Sequence, residues 1–125
     1  MGRVGYGYTM GNGKWAKMTE LVLLASATKT ESGTGTPVEI GNKGVACLDL
    51  TSTAKSGTDT PTLTVTVKTC KTVDGTFRNV ASFTAQTATG TERKSFSGLD
   101  RFVRIDWTIS GTNPSWTFHC EGEAK

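Results

Sequence analysis

This chain predicts an all-β fold, a single β-sandwich with an extended N-terminal arm, on three observations. Hydrophobic residues make up only 35% of its 125 residues while threonine, glycine and serine abound, which suits short strands joined by polar connections. Several segments alternate apolar and polar side chains with a period of two, as an extended chain with one covered face must. No stretch carries a helix start signal of any strength, and no repeat recurs along the chain. The length suits one domain with one two-layer core. Jelly-roll and immunoglobulin-like topologies both remain open.

Taken in order, residues 1–17 hold five glycines among Tyr6, Tyr8 and Trp15. Ordering so many glycines costs too much backbone entropy for a helix or regular strand unaided, so this segment reads as a flexible arm and residues 18–125 as the sandwich. The plain reading of the arm is a frayed terminus. The functional one is that Tyr6, Tyr8 and Trp15 anchor it on a neighbouring subunit, where tyrosine and tryptophan are favoured.

Residues 20–28 are a nearly continuous apolar run and predict a strand buried on both faces. A polar loop over 29–36, a short edge strand over 38–40 and a turn at Gly41-Asn42-Lys43-Gly44 follow. Residues 45–51 form the next strand, with Ala46, Leu48 and Leu50 inward and Cys47 and Asp49 outward; 52–60 reads as a mobile loop. Residues 61–69 alternate most cleanly, with Leu63, Val65 and Val67 inward, Thr62, Thr64, Thr66 and Lys68 outward, and Cys70 continuing the outward parity. Asp74-Gly75 signals a hairpin, but a strict two-residue loop would put Arg78 on the apolar face of Val67. A bulge or wider loop is therefore expected.

The return strand falls within 77–87, with Phe83 and Ala85 inward, and 90–98 bridges to the most strongly patterned stretch, 99–122. There Val103, Ile105, Trp107 and Ile109 share one face against Arg104, Asp106 and Thr108. After Gly111-Thr112-Asn113-Pro114 the alternation resumes with Trp116 and Phe118 against Ser115, Thr117 and His119, so the stretch reads as a β-hairpin with one apolar face. These large side chains need a second layer to cover them, hence the sandwich.

The formal charge of +3 is mild and interleaved with acidic residues through most of the chain, without the concentrated basic footprint of a nucleic-acid binder. No apolar run approaches the roughly 18 residues of a membrane span, and the N-terminus lacks the apolar core of a secretory signal. Synthesis in a cytoplasm without self-directed export is the expectation.

Catalysis would have to use the sole histidine, His119, whose neighbour Cys120 points to the opposite face of the same strand. Zinc bound by Cys47, Cys70, Cys120 and His119 lacks any CxxC or HxxxH spacing, and the glycines form no phosphate loop. No catalytic residue, metal, cofactor or small-molecule substrate is predicted. An exposed Trp15, Trp107 or Trp116 would suit a carbohydrate- or receptor-binding module, but the alternation turns Trp107 and Trp116 inward.

Three cysteines cannot all pair within one chain. Cys120 shares the parity of Trp116 and Phe118 and reads as a buried hydrophobe. Cys47 and Cys70 lie on polar parity and are the candidates for an intersubunit disulfide. An internal bridge between them would require Cα atoms within about 7 Å.

Two segments, DGTFRNVASFTAQTATGTE over 74–92 and FSGLDRFVRIDWTISGTNPSWTFHCEGEAK over 96–125, together with the LVLLASATKT start at Leu21, resemble small tailed-bacteriophage virion proteins built as single β-sandwiches. The matching pieces cover roughly the chain beyond Lys17. The resemblance implies a structural protein on the capsid surface of a virion, made in the host cytoplasm, that decorates and stabilises the capsid. Its implied partners are the major capsid protein and copies of itself, as a trimer where it caps a local three-fold axis, with neck and tail as sibling positions. It supplies no catalytic residue. The glycine-aromatic arm and the three cysteines depart from the family pattern.

Overall fold

The computed structural model describes residues 8–11, 14–17 and 19–125, with side chains from residue 20 onward, and every regular element among them is a β-strand. Tyr6, and the side chains of Tyr8 and Trp15, lie outside the described residues. In chain order the strands are β1 (Tyr8–Gly11), β2 (Lys14–Lys17), β3 (Thr19–Lys29), β4 (Gly33–Thr34), β5 (Val38–Glu39), β6 (Ala46–Cys70), β7 (Arg78–Ser82), β8 (Gly90–Phe96) and β9 (Phe102–Ala124).

Strands β1 and β2 pair with each other, Tyr8 opposite Lys17 and Gly11 opposite Lys14, where the sequence predicted no regular strand. The dipeptide between them is Asn12-Gly13, a strong signal for a two-residue hairpin connection.

The other seven strands form one antiparallel sheet whose main path is β3-β9-β6-β7, with β4 and β5 paired to β9 and β8 paired to β6. Its spine is a long ribbon of β6 against β9, paired from Ala46 opposite Ala124 to Cys70 opposite Phe102 with register shifts between Ser52 and Thr62. One end of this ribbon is flanked by β3 and β8, the other by β4, β5 and β7. The two half-sheets face each other across a common core. Trp107 from one half meets Phe118 from the other edge-to-face at 5.8 Å, and Phe83 meets Phe96 at 5.3 Å. The sheet is not closed into a barrel, and this two-layer packing is consistent with the predicted sandwich.

The expected hairpin over 99–122 is corrected by β9. Residues 102–124 form one strand that bends at 111–114, and each half pairs with β6 instead of with the other half. The physical reason is that Ile105 and Phe118 cover one core from opposite layers, so their alternation needs no hairpin to share a face. The expected loop over 52–60 is likewise part of β6. Its threonines tolerate extended backbone, and its strand partners run from Phe118 to Thr112 with register shifts around Ala54 and Thr58. Gly57, Asp59, Thr60, Gly111 and Asn113 all take positive φ here, which is how the ribbon turns from one layer to the other.

Three smaller expectations also change. Residues 20–28 are not covered on both faces: Leu21 and Leu23 are buried but Val22 is 44% exposed, because β3 is a bulged edge strand paired only to β9. The connector over 90–98 contains β8. Ala85 is exposed although Phe83 is buried, because the Phe83 amide still donates to the Val65 carbonyl, after which the chain leaves β6 and touches it again at Gln86 opposite Leu63. The wider loop after Cys70 does form: residues 71–77 connect β6 to β7, and a register shift at Val67/Lys68 sets Arg78 opposite Thr69.

Hydrogen bonds tie the layers where the chain crosses between them. On one side Lys94 donates to the Ser82 carbonyl at 2.7 Å, the Thr84 amide donates to Glu92 at 2.9 Å and Ser52 donates to Gln86 at 2.6 Å. On the other, Trp107 Nε1 donates to the Glu31 carbonyl at 3.1 Å.

Candidate functional surfaces

The predicted core residues Leu63, Val65, Val67, Phe83, Val103, Ile105, Trp107, Trp116 and Phe118 are all buried, with Ile109 half-buried where β9 approaches its bend. Trp107 retains 6% exposure and Trp116 none, so neither offers a flat ring to a sugar. Trp116 Nε1 has no hydrogen-bond partner. What the fold presents outward is two broad sheet faces and the polar bend.

The first face is the outer side of the half-sheet β3-β9-β6-β8. Residues directly opposite on paired strands share a side, so the registers line them up in rows. One row reads Glu20, Glu123, Cys47, Ser95 and the next Val22, Glu121, Asp49, Arg93. Beyond them His119 faces Thr51, whose hydroxyl lies 3.0 Å from that of Thr91. Arg93 donates to both Asp49 oxygens, at 2.8 and 3.0 Å. This bidentate hydrogen bonding holds the Asp49 carboxyl below its ordinary range, and Coulomb attraction to Arg93 and His119 adds to the effect against a desolvation cost. The Arg93 guanidinium is correspondingly pushed up by Asp49.

The second face belongs to β9, β6 and β7 of the other half. Asp106 binds Lys68 at 2.9 Å and Arg104 at 3.1 Å, and the Arg104 guanidinium sits 4.4 Å from the ring of Phe77. Toward the bend this face becomes a hydroxyl ladder: Thr66 bonds Ser82 at 2.7 Å, Thr64 lies opposite Thr108, and Thr62 opposite Ser110. The bend itself exposes every residue from 53 to 60.

His119 and Cys120 are on opposite sides of β9, and the Cys120 thiol, fully buried, is pushed up to about 12 chiefly by desolvation. It is packing material and no nucleophile at neutral pH. Cys47 and Cys70 are half-buried on the outer faces, as their parity indicated, all three thiols are free, and no two cysteines lie at disulfide distance. The alternative of an internal Cys47–Cys70 bridge is thereby corrected: Cys47 sits in the β3-side half-sheet opposite Glu123 and Cys70 in the other half opposite Phe102. Among the described residues no group of three histidine, cysteine or acidic side chains is placed to hold a metal.

Sequence reasoning missed the crowding of carboxylates on the first face. Glu20, Asp49, Glu121 and Glu123 come from three strands, and only the register, which no local motif announces, brings them side by side. Compared with known proteins, the chain matches no family model, no curated protein and no solved structure.

Proposed function

We propose that this chain is a structural virion protein that binds and stabilises a bacteriophage capsid through contacts with the major capsid protein and with copies of itself. The observation that carries the reading is the resemblance of residues 74–92 and 96–125 to single-sandwich virion proteins of tailed phages. Support comes from the fold, in which those same residues supply β7, the two ends of β8, all of β9 and much of one all-β core. Two wide, ion-paired or hydroxyl-lined faces suit a protein that acts through many weak contacts repeated on a lattice, where avidity replaces a deep pocket. A neck or tail position uses the same surfaces. The carbohydrate-binding reading is disfavoured by the burial of Trp107 and Trp116.

The intersubunit disulfide belongs to this proposal. After lysis, dioxygen takes two electrons and two protons from Cys47 or Cys70 and a facing thiol of another virion subunit, and a sulfur–sulfur bond locks a contact already in register.

Mixing the purified protein with capsids purified from its source, followed by sedimentation, tests the reading. Saturable co-sedimentation with a fixed number of copies per particle, and a higher temperature of capsid rupture, is expected. Protein left in the supernatant at all concentrations sinks the proposal. The same particles run without reductant should show an adduct that collapses on reduction; a monomer band alone removes the disulfide but not the binding.

A further inference from the structure

The first outer face carries two cross-strand pairs of like charge, Glu20 opposite Glu123 and Glu121 opposite Asp49. Such pairs destabilise a sheet unless a cation compensates them. Arg93 compensates Asp49; among the described residues none of Glu20, Glu121 and Glu123 is within ion-pair distance of a cation. Along the same face lie two of the exposed large apolar side chains of the molecule, Val22 at 44% and Val45 at 39%. Val45 precedes Ala46 on the outward parity of Cys47, and its carbonyl accepts from the Lys125 amide. A sheet face with three carboxylates outside any ion pair and two exposed valines at its borders suits a basic, aromatic occupant.

The chain contains one. Of its 14 basic residues, Arg3, Lys14 and Lys17 precede Glu20, and no acidic residue does, so the remainder balances 11 basic against 11 acidic residues. The whole net charge of +3 therefore resides in the segment that also holds Tyr6, Tyr8 and Trp15. We propose that this face is the docking site for residues 1–17 of a second copy of the chain, the net positive charge of that segment answering Glu20, Glu121 and Glu123. A second copy is favoured over the same chain because β2 ends at Lys17 and β3 starts at Thr19. The single intervening residue is shorter than the two-residue loop by which strands commonly reverse, so it does not fold the chain's own hairpin back across the outside of the sheet.

The proposal deepens the reading of the chain as a self-associating virion protein and rests on its self-contact half alone. Charge swaps test it without capsids. The full-length variant Lys14→Glu/Lys17→Glu has an acidic arm and an acidic face; Glu121→Lys/Glu123→Lys has a basic arm and a basic face. Sedimentation velocity should show the parent associating, with a Kd that rises by at least about tenfold as salt is raised and screening tightens. Each variant alone should be monomeric, and an equimolar mixture of the two, whose arms and faces are complementary only in trans, should associate again. Melting curves establish that each variant is folded. If the lysine pair on the face unfolds the sheet, Glu121→Gln/Glu123→Gln replaces it and should weaken association of the parent background by at least about tenfold. A parent that stays monomeric, variants that associate like the parent, or a mixture that stays monomeric each overturns the proposal. Because no capsid enters the experiment, its failure leaves capsid binding standing, and a failure of capsid binding leaves arm exchange standing.

Discussion

At the scale of single residues, two tryptophans of similar burial differ in what their indole nitrogens do. Trp107 Nε1 donates to the Glu31 carbonyl, and Lys29 lies over its ring at 5.1 Å; Trp116 Nε1 is buried with no partner. Replacing either by alanine empties a large site and should cost about 3–5 kcal/mol in chemical denaturation. Phenylalanine separates them. Trp116→Phe removes a donor that is already unsatisfied, which offsets part of the lost contact area, whereas Trp107→Phe loses a hydrogen bond that the folded protein makes to the Glu31 carbonyl. The phenylalanine variant at 107 should therefore be the less stable of the two, and the reverse order would show that the Trp116 nitrogen is satisfied in solution. Asp49 supplies a second residue-scale prediction. Its folded carboxyl ionises below the ordinary value, so the stabilisation it provides is complete above the usual carboxylate range and is lost as pH falls through the depressed folded value. Asp49→Asn should thus be less stable than the parent at neutral pH, and the gap should close as denaturation curves are repeated down to acid. A gap that is constant with pH would mean that the Arg93 pair contributes nothing through ionisation.

At the scale of elements, the long β6–β9 ribbon depends on close backbone approach. Gly122 lies between Leu21 and Leu48, and a Cβ built there would collide with the Cys47 carbonyl oxygen, a backbone atom that cannot step aside. Gly122→Ala should therefore cost at least about 2 kcal/mol by wedging β9 from β6, measured as a lower denaturation midpoint with an unchanged slope. An alanine variant as stable as the parent would mean that the ribbon has more slack at this point than its register implies. The same ribbon shows what could be read in the sequence. Alternation identified which way Leu63, Val65, Val67, Ile105 and Trp116 point, because period two is a local property of extended backbone. It said nothing about which strand each would pair with. A run such as Gly111-Thr112-Asn113-Pro114 reads equally well as a hairpin turn and as a bend within one strand; the choice depends on β6 lying alongside both halves, a contact distant in sequence. For the same reason the exposed threonines of 53–60 read as a loop, since nothing local distinguishes a solvent-facing strand from a polar connection. The acidic face was illegible for a related cause: each carboxylate is an ordinary strand residue until pairing puts another beside it.

At the scale of the whole molecule, one core is built from both ends of one ribbon, and this sets how the protein folds. The ladder of β6 against β9 joins residues far apart in sequence, from Thr58 opposite Thr112 to Ala46 opposite Ala124, and few of its contacts are local. Loop-closure entropy must be spent before most of these contacts form, so folding should be slow for a domain of this size, in the range of about milliseconds to seconds. Neither half-sheet can keep its inner face covered without the other, since Trp107 covers Phe118 and Phe83 covers Phe96 across the layers. Unfolding should accordingly be a single cooperative event. Leu48→Ala weakens one half and Val67→Ala the other; each residue is fully buried, and each variant should lower one common midpoint, Leu48→Ala by about 2–5 kcal/mol and Val67→Ala, which deletes a smaller side chain, by less. Tryptophan fluorescence and far-ultraviolet circular dichroism should follow the same curve in both variants. If Leu48→Ala instead splits the transition, leaving the half around Val67 folded to higher denaturant, the two half-sheets are independent units and the single core across them is wrong.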